Sequence, residues 1–343
     1  MALLLAADMG ATKSLLAVFD LDHDLCSAPV AQSLYASRDF DGIQEMVRDF
    51  LQQSGLVPAY ACLAMAGVIR HGQAKMTNLP WRISEQELAE CFGFSGMWLI
   101  NDLTAVCASL PFLRNMDFLE LQKGEPEPFG VRAVIAPGTG LGEGFLVQQG
   151  TRVWAQGTEG GHCDFAPTDT TQAALLDWMR TRHPGEPISS EMLCSGLAIP
   201  SLYAFFKASG MEERSTLRAA LDQATDQTPV IVNGALDDQN PCPLCRKSVE
   251  TFLAILGAEA GNLALKLYST GGLYIGGGIM PRLAERISFA PMLAAFNNKE
   301  KMEALMATIP VRLITRKDTA LLGAAGYGAE MALLLQGGQG RII

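Results

Sequence analysis

Short apolar runs that alternate with turns of small residues predict two similar β-hairpins. Leu3 to Ala7 is apolar, residues 8–13 interrupt it with Asp-Met-Gly-Ala-Thr-Lys, and residues 14–20 are apolar again. The same arrangement returns where residues 132–136 lead into Pro-Gly-Thr-Gly-Leu-Gly-Glu-Gly and then into residues 145–147. This repeated design indicates two α/β domains, each a sheet flanked by helices, with a cleft between them.

Strands and helices alternate after the first hairpin. Residues 59–66 form a nearly continuous apolar run, which is typical of a buried strand. Residues 84–91 favour a helix, because Ser84 and Glu87 have the spacing of a capping box at its start. The first half of the chain therefore has the pattern of an α/β domain.

Two polar residues directly follow the next predicted strand. Residues 97–100 are apolar, Asn101 and Asp102 come after them, and residues 103–110 predict a helix that Pro111 ends. Ligands of open α/β sheets bind at the carboxyl ends of the strands. Asn101 and Asp102 therefore occupy a position typical of a binding site.

The second half of the chain ends with helical and strand patterns. Residues 248–267 carry apolar side chains at helical spacing, and residues 273–275 predict a strand that runs into Gly276-Gly277-Gly278. Residues 311–314 predict the last strand, and residues 319–335 predict a closing helix whose glycines suit close packing.

Composition and charge narrow the class of protein. The 343 residues are 49% hydrophobic and 18% charged, which allows two packed units and excludes a disordered chain. No uncharged run has the ~18 residues needed to cross a bilayer. The apolar start closes at Asp8 and lacks the basic flank of a signal peptide, so we expect a cytoplasmic protein. A net charge of −10 argues against nucleic acid as a partner.

The eight cysteines are scattered through apolar sequence in a chain without a secretion signal. We therefore expect buried thiols and no disulfide framework. Cys242 and Cys245 have the spacing of half a zinc site or a redox pair, but no second Cys/His pair stands at ligand spacing, which favours a structural role.

Three glycine-rich turns at strand ends favour a phosphate site. They are residues 8–13, 138–144 and 276–278. Glycine lets backbone amides approach anionic oxygens that a Cβ would keep away, although each turn alone could be an ordinary tight turn. The first turn lacks the spacing of a P-loop, and the second lacks that of a dinucleotide fingerprint, so neither of those classes is supported.

A set of polar residues in apolar or glycine-rich sequence suits a sugar. It comprises Asn101 and Asp102, Glu159 and His162 around Gly160-Gly161, and Glu191. Carboxylates and amides can satisfy adjacent sugar hydroxyls and reject analogues that leave these groups unpaired. A helix cap at Asp102, a capping or surface role for Glu191 and a turn histidine at His162 are the alternative interpretations.

Taken together, these motifs resemble the bacterial glucokinases of the actin-like, hexokinase-type superfamily. The resemblance covers nearly the whole chain, and its most specific part is the run Glu-Gly-Gly-His-x-Asp-Phe-Ala-Pro at residues 159–167. The cysteine-rich zinc motif of the related repressor-type sugar kinases is missing after His162. The other motifs that carry the resemblance are residues 8–12, 99–102, 138–142, Ser195-Gly196, and 276–279 with Pro281.

The resemblance implies an α/β, two-domain actin-like ATPase (ribonuclease H-like) fold with an interdomain cleft. A small domain would comprise residues 1–113 plus about 316–343, and a large domain residues 114–315. It further implies ATP-dependent phosphorylation of glucose at its 6-hydroxyl, with Mg²⁺ on the phosphates, sugar-induced domain closure and a homodimer. No membrane or nucleic-acid partner is expected.

The resemblance implies a catalytic or binding role for particular residues of this chain. Asp102 would be the general base, and Asn101, Asp102, Glu159, His162 and Glu191 would hold the sugar hydroxyls. Asp8 would reach the metal through water. The nucleotide would lie against Ala7, Asp8, Met9, Gly10, Ala11, Thr12, Gly138, Thr139, Gly140, Gly276, Gly277, Gly278 and Ile279.

The first turn departs from the family pattern. Ala11 stands where the family has glycine, and Lys13 where it has a polar uncharged residue, which leaves the phosphoryl donor open. The alternatives are a kinase for another hexose, such as mannose or an N-acetylated hexosamine, and a sugar-binding regulator without catalysis. An actin-like ATPase that polymerises or acts as a chaperone would not explain the sugar-type residues.

Overall fold

A computed structural model describes residues 2–76, 79–150 and 152–337 of the protein. The strands are β1 (Leu3–Met9), β2 (Lys13–Asp20), β3 (Ala31–Ala36), β4 (Tyr60–Met65), β5 (Ile69–Arg70), β6 (Gln73–Lys75), β7 (Arg82–Ser84), β8 (Gly96–Asn101), β9 (Phe118–Gln122), β10 (Arg132–Pro137), β11 (Leu141–Gln149), β12 (Arg152–Thr158), β13 (Gly272–Ile275) and β14 (Val311–Ile314). The helices are α1 (Ile43–Ser54), α2 (Glu85–Phe92), α3 (Asp102–Ser109), α4 (Thr170–Arg182), α5 (Ile199–Ala208), α6 (Ser215–Gln223), α7 (Thr228–Leu236), α8 (Pro243–Leu267), α9 (Met280–Ala284), α10 (Ala290–Asn297), α11 (Glu303–Thr308) and α12 (Thr319–Leu335).

The chain divides into two compact units. The described residues within 1–117, 144–157 and 316–343 form the first unit, and those within 118–143 and 158–315 form the second. The predicted boundary lies four residues earlier, at 113, and the prediction assigns residues 144–157 to the second unit. The difference has a tertiary cause, because the backbone N–H of Gly157 donates to Oγ1 of Thr104 at 2.8 Å and holds this segment on α3.

A five-stranded sheet in the order β3-β2-β1-β4-β8 forms the centre of the first unit. Strands β1 and β2 are antiparallel, which confirms the first predicted hairpin, and β1, β4 and β8 run parallel. Residues of β1 alternate between two cores. Leu5 packs with Phe50 of α1, whereas Leu4 packs with Leu321 of α12, so helices cover both faces of the sheet.

Helix α12 covers residues 319–335, as its sequence pattern predicts. A Cβ at Gly323 would overlap the carbonyl oxygen of Ala105 in α3, and one at Gly328 would lie 2.8 Å from Cβ of Cys62 in β4. The glycines therefore allow this helix to approach α3 and the sheet more closely than any side chain would permit.

Strands β10, β13, β14 and β9 follow one another in the sheet of the second unit. Strands β10, β13 and β14 are parallel, and β9 is antiparallel to β14. The long helix α8 is buried along most of its length and forms the largest part of the core beside this sheet. The predicted strands at 273–275 and 311–314 are confirmed.

Two element boundaries differ from the prediction for local reasons. Helix α8 begins at Pro243, five residues before the predicted start at 248, because proline suits the first turn and Sγ of Cys242 caps it by accepting from the N–H of Cys245. Helix α3 ends at Ser109, and residues 110–112 continue as a single 3-10 turn that contains Pro111. Within the described ranges, no helix combines the length and apolarity that a bilayer span requires.

Candidate active site

The turn between β1 and β2 is tightly fixed. The N–H of Gly10 donates to the carbonyl of Lys13 at 3.1 Å, and the carbonyl of Gly10 accepts from Oγ of Ser37 at 2.6 Å. A Cβ at Gly10 would lie 2.6 Å from the Lys13 oxygen, so glycine is required there. Lys13 is exposed, as a solvated lysine would be, and Ala11 is half-buried.

Asp8, Asn101 and Asp102 meet at one edge of the first unit's sheet. Asp8 lies beside Ala64 of the parallel strand β4, and the next register row joins Met65 to Asn101 of β8. Burial and, to a smaller extent, the negative charge of Asp102 together raise the pKa of Asp8 to about 6. Two carboxylates that repel each other in a partly buried position favour a cation between or beside them.

Asn101 is the N-cap of α3, whereas the alternative interpretation of the sequence assigned a helix cap to Asp102. Its Oδ1 accepts from the N–H of Leu103 at 2.8 Å, and its Nδ2 donates to the carbonyl of Gly67 at 3.2 Å. Oδ1 of Asp102 also accepts from Leu103, at 2.9 Å. The positive end of the helix dipole therefore stabilises the ionised form of Asp102.

The second unit brings together Glu159, His162 and Glu191. Glu159 precedes a single 3-10 turn over Gly160–His162, and Nε2 of His162 lies 3.7 Å from Oε2 of Glu159. Nδ1 of His162 lies 4.0 Å from Oε1 of Glu191. The side chains of Glu159 and His162 are 66% and 61% exposed, so their polar atoms are available to a ligand.

Glu191 also joins this group to the glycine-rich loop after β10. Its Oε2 accepts from the N–H of Leu141 at 2.8 Å, and its own N–H donates to the carbonyl of Gly161 at 2.8 Å. A Cβ at Gly140 would overlap the Glu191 carboxylate. The loop at 138–142 and the turn at 160–162 are thus held against one carboxylate.

The third glycine turn lies beside the second. Gly277 has a φ of +92°, and a Cβ there would overlap the carbonyl oxygen of Pro137 at the end of β10. The N–H of Gly276 donates to the carbonyl of Ile135 at 2.8 Å. Strands β10 and β13 are parallel neighbours, so both turns leave the same edge of the sheet.

Glu143, which is not among the candidate residues predicted from the sequence, packs against Gly160 between Glu159 and His162. It is 3% exposed, and its pKa is raised to about 7 by burial first and by the charge of Glu259 second, against an opposing effect of Lys266. A Cβ at Gly160 would overlap Oε2 of Glu143. A lone charged residue between two glycines in an apolar strand was the signal in the sequence.

Cys242 and Cys245, the closely spaced cysteine pair of the sequence, lie at the N-terminal end of α8. Both are buried free thiols at the start of α8, and burial raises the pKa of the Cys245 thiol. Among the described residues, no group of three or more His, Cys, Asp or Glu side chains could hold a metal ion. A single carboxylate such as Asp8 fits Mg²⁺, which keeps most of its waters and binds substrate phosphates.

The chain is similar to glucokinases in sequence and in structure. The family model described as glucokinase matches residues 5–331. The glucokinase of Nostoc sp. (strain PCC 7120) is 35% identical over 96% of this chain and 100% of the relative, and that of Colwellia psychrerythraea is 33% identical over 94% and 95%. The crystal structure of a glucokinase from an Antarctic psychrotroph has a TM-score of 0.83 at 31% identity, covering 96% of this chain and 99% of that one.

Proposed function

This chain is a member of the glucokinase family, and from that premise we propose which of its residues phosphorylate glucose with ATP. Its fold is the two-domain actin-like fold of this family, as the sequence resemblance implied. The observation that best supports the assignment is Glu191, which contacts both the turn of Glu159 and His162 and the glycine-rich loop at Leu141.

Asp102 is the proposed general base. Its carboxylate accepts the proton of the glucose 6-hydroxyl while the hydroxyl oxygen forms a bond to the γ-phosphorus of ATP. The bond from that phosphorus to the bridging oxygen breaks, and ADP leaves with the electron pair. Asp102 lies at the start of α3, where the helix dipole favours negative charge, and a base requires the ionised carboxylate.

The remaining polar residues are assigned to the other sugar hydroxyls. Glu159, His162 and Glu191 converge in the second unit, where carboxylate and imidazole groups offer both acceptors and a donor. Asn101 is assigned to the sugar as well, although its amide already bonds to Leu103 and Gly67. A hydroxyl that pairs with these groups would be distinguished from an analogue that lacks it.

The nucleotide is assigned to the three glycine turns. The phosphates would lie against Ala7 to Thr12 and Gly138 to Gly140, and the adenosine against Gly276 to Ile279. Asp8 would hold hydrated Mg²⁺, which neutralises phosphate charge when bound. The glucokinase of Streptomyces griseus was solved with glucose and AMPPNP, and at 18% identity and a TM-score of 0.61 it supports the fold of such a site.

Replacement of Asp8 by asparagine should raise the Mg²⁺ concentration at half-maximal activity by about tenfold or more, because the amide cannot attract the hydrated cation. Activity assays at fixed ATP with stepwise addition of Mg²⁺ measure this effect. Asp22→Asn, at an exposed position after β2, is the matched control and should leave the requirement unchanged. If Asp8→Asn and the wild type need the same Mg²⁺ concentration for half-maximal activity, Asp8 does not hold the metal.

The family resemblance also supports several finer proposals. We place the enzyme in the cytoplasm at the entry to glycolysis, as a homodimer with glucose and ATP as its partners. A net charge of −10 supports the absence of a nucleic-acid partner.

A sugar panel tests the proposed activity. Purified protein with ATP and Mg²⁺ should form glucose 6-phosphate, and kcat/KM for glucose should exceed that for mannose and N-acetylglucosamine. Folded protein that gives no phosphorylated sugar would overturn the proposal. A preference for either other sugar would reassign the substrate, and ATP hydrolysis independent of sugar would favour an actin-like ATPase.

A further inference from the structure

Glu143 supports the sugar-type turn through both its backbone and its side chain. Its carbonyl accepts from Oγ1 of Thr158 at 3.3 Å, and the same Oγ1 accepts from the N–H of Gly160 at 3.2 Å. Its carboxylate fills the space where a side chain at Gly160 would stand. Glu159 lies between Thr158 and Gly160, so its position depends on Glu143.

The Glu143 carboxyl has little to stabilise a negative charge. Its Oε1 is buried and has no hydrogen-bond partner among the residues that the structure describes. The charged groups that act on it from α8 are Glu259, which repels the ionised form, and Lys266, which favours it. Burial raises the pKa of the Cys194 thiol, and the charges of Glu259 and Glu143 raise it as well.

Glu259 has more hydrogen-bond donors around its carboxylate than Glu143 has. Its Oε2 accepts from Oγ of Ser190 at 3.3 Å and from Nδ2 of Asn262 at 3.1 Å. Lys299 donates to Asn262 and to the carbonyl of Ala258, at 2.7 and 2.9 Å, and so places a cation on the far side of this network. Glu259 therefore has donors for its carboxylate, whereas the described residues offer none to Oε1 of Glu143.

We propose that Glu143, in its neutral form, is a positioning residue for the turn that carries Glu159 and His162, and that its ionisation weakens glucose binding. The inference rests on the proposed sugar-binding role of that turn. An ionised carboxylate beside Glu259 needs water or new donors, and the adjacent space belongs to Gly160. The turn must shift to admit them, which displaces the side chains that face the sugar.

The consequence is a pH-dependent KM for glucose. With a pKa of about 7, Glu143 is neutral below that pH and ionised above it. If only the neutral form holds the turn correctly, KM rises about tenfold between pH 6 and pH 8. The value of kcat at saturating glucose should change much less, because bound sugar selects the neutral form.

Glu143→Gln provides the direct test, because glutamine keeps the shape of the neutral acid and does not ionise. Its KM for glucose should stay within about twofold from pH 6 to pH 8, while the wild-type KM rises. Glu330→Gln, which removes another buried acid in α12 of the first unit, is the control and should keep the wild-type profile. His162 is present in all three proteins, so a difference between their profiles belongs to Glu143.

Glu259→Gln keeps the inference testable if Glu143→Gln does not fold. Removal of the repelling charge lowers the pKa of Glu143, so the rise in KM should begin at a lower pH than in the wild type. A wild-type KM that is flat over this range, or an unchanged rise in Glu143→Gln, would overturn the inference and leave the proposed function intact. A wild type that does not phosphorylate glucose would instead overturn the proposed function.

Discussion

Asp102→Asn should lower kcat by at least about 10², while the affinity for glucose stays nearly intact. Asparagine has the size of aspartate and can still accept a hydrogen bond, as Oδ1 of Asp102 does from the N–H of Leu103. The helix start and the shape of the site are therefore preserved. The amide cannot take the proton of the 6-hydroxyl, so the attacking oxygen loses its base.

A steady-state assay with glucose, together with direct measurement of glucose binding to the ATP-free protein, separates the two effects. Asp169→Asn is a matched control, because Asp169 is also an acid at a helix start, where its Oδ1 accepts from the N–H of Gln172 in α4. The control should retain full turnover. An Asp102→Asn enzyme with unchanged kcat would refute the assigned base, and one that has lost glucose affinity without losing turnover would make Asp102 a binding residue.

Gly323→Ala should lower the free energy of unfolding by about 3 kcal/mol, which is at the upper end for overpacking by a single methyl group. The new Cβ would overlap the carbonyl oxygen of Ala105, and a backbone atom within α3 cannot turn aside as a side chain can. Alanine favours a helix over glycine by about 1 kcal/mol, but this gain is smaller than the cost of separating α12 from α3.

Urea unfolding followed by circular dichroism measures this loss. Gly278→Ala is the control, because a Cβ at Gly278 would meet no atom within 4 Å and its φ is not in the left-handed region. Its unfolding midpoint should stay close to that of the wild type. Equal midpoints for Gly323→Ala and the wild type would mean that α12 and α3 can separate without cost.

The parts of the fold that depend on local pattern were predictable. Strict apolar runs gave β1, β4 and β13, and the capping serine gave α2, where Oγ of Ser84 accepts from the N–H of Glu87 at 3.4 Å. Helix α12 was predictable in spite of its glycines, because its apolar pattern is long. The fold class came from combining these elements with the family resemblance.

The residues of the candidate active site could be picked out in the sequence. The hydrogen bonds and contacts between them could not. Glycine-rich strand ends and isolated polar residues identify candidates from the sequence alone. The hydrogen bond from the N–H of Leu141 to Glu191 could not be predicted from local sequence, because the two residues are 50 positions apart. The sequence made Asp102 the candidate for the helix cap, and only the backbone geometry at the end of β8 assigns that role to Asn101.

By itself, the sequence determined the strands and helices that have a clear local pattern, the family and the residue types available for chemistry, because these follow from local periodicity and from short motifs. The tertiary structure alone decided that residues 144–157 pack with the first unit and that Glu143 lies buried beneath Gly160. Burial and charge proximity depend on which distant segments pack together. That packing, rather than the identity of the side chain, raises the pKa of a glutamate to about 7.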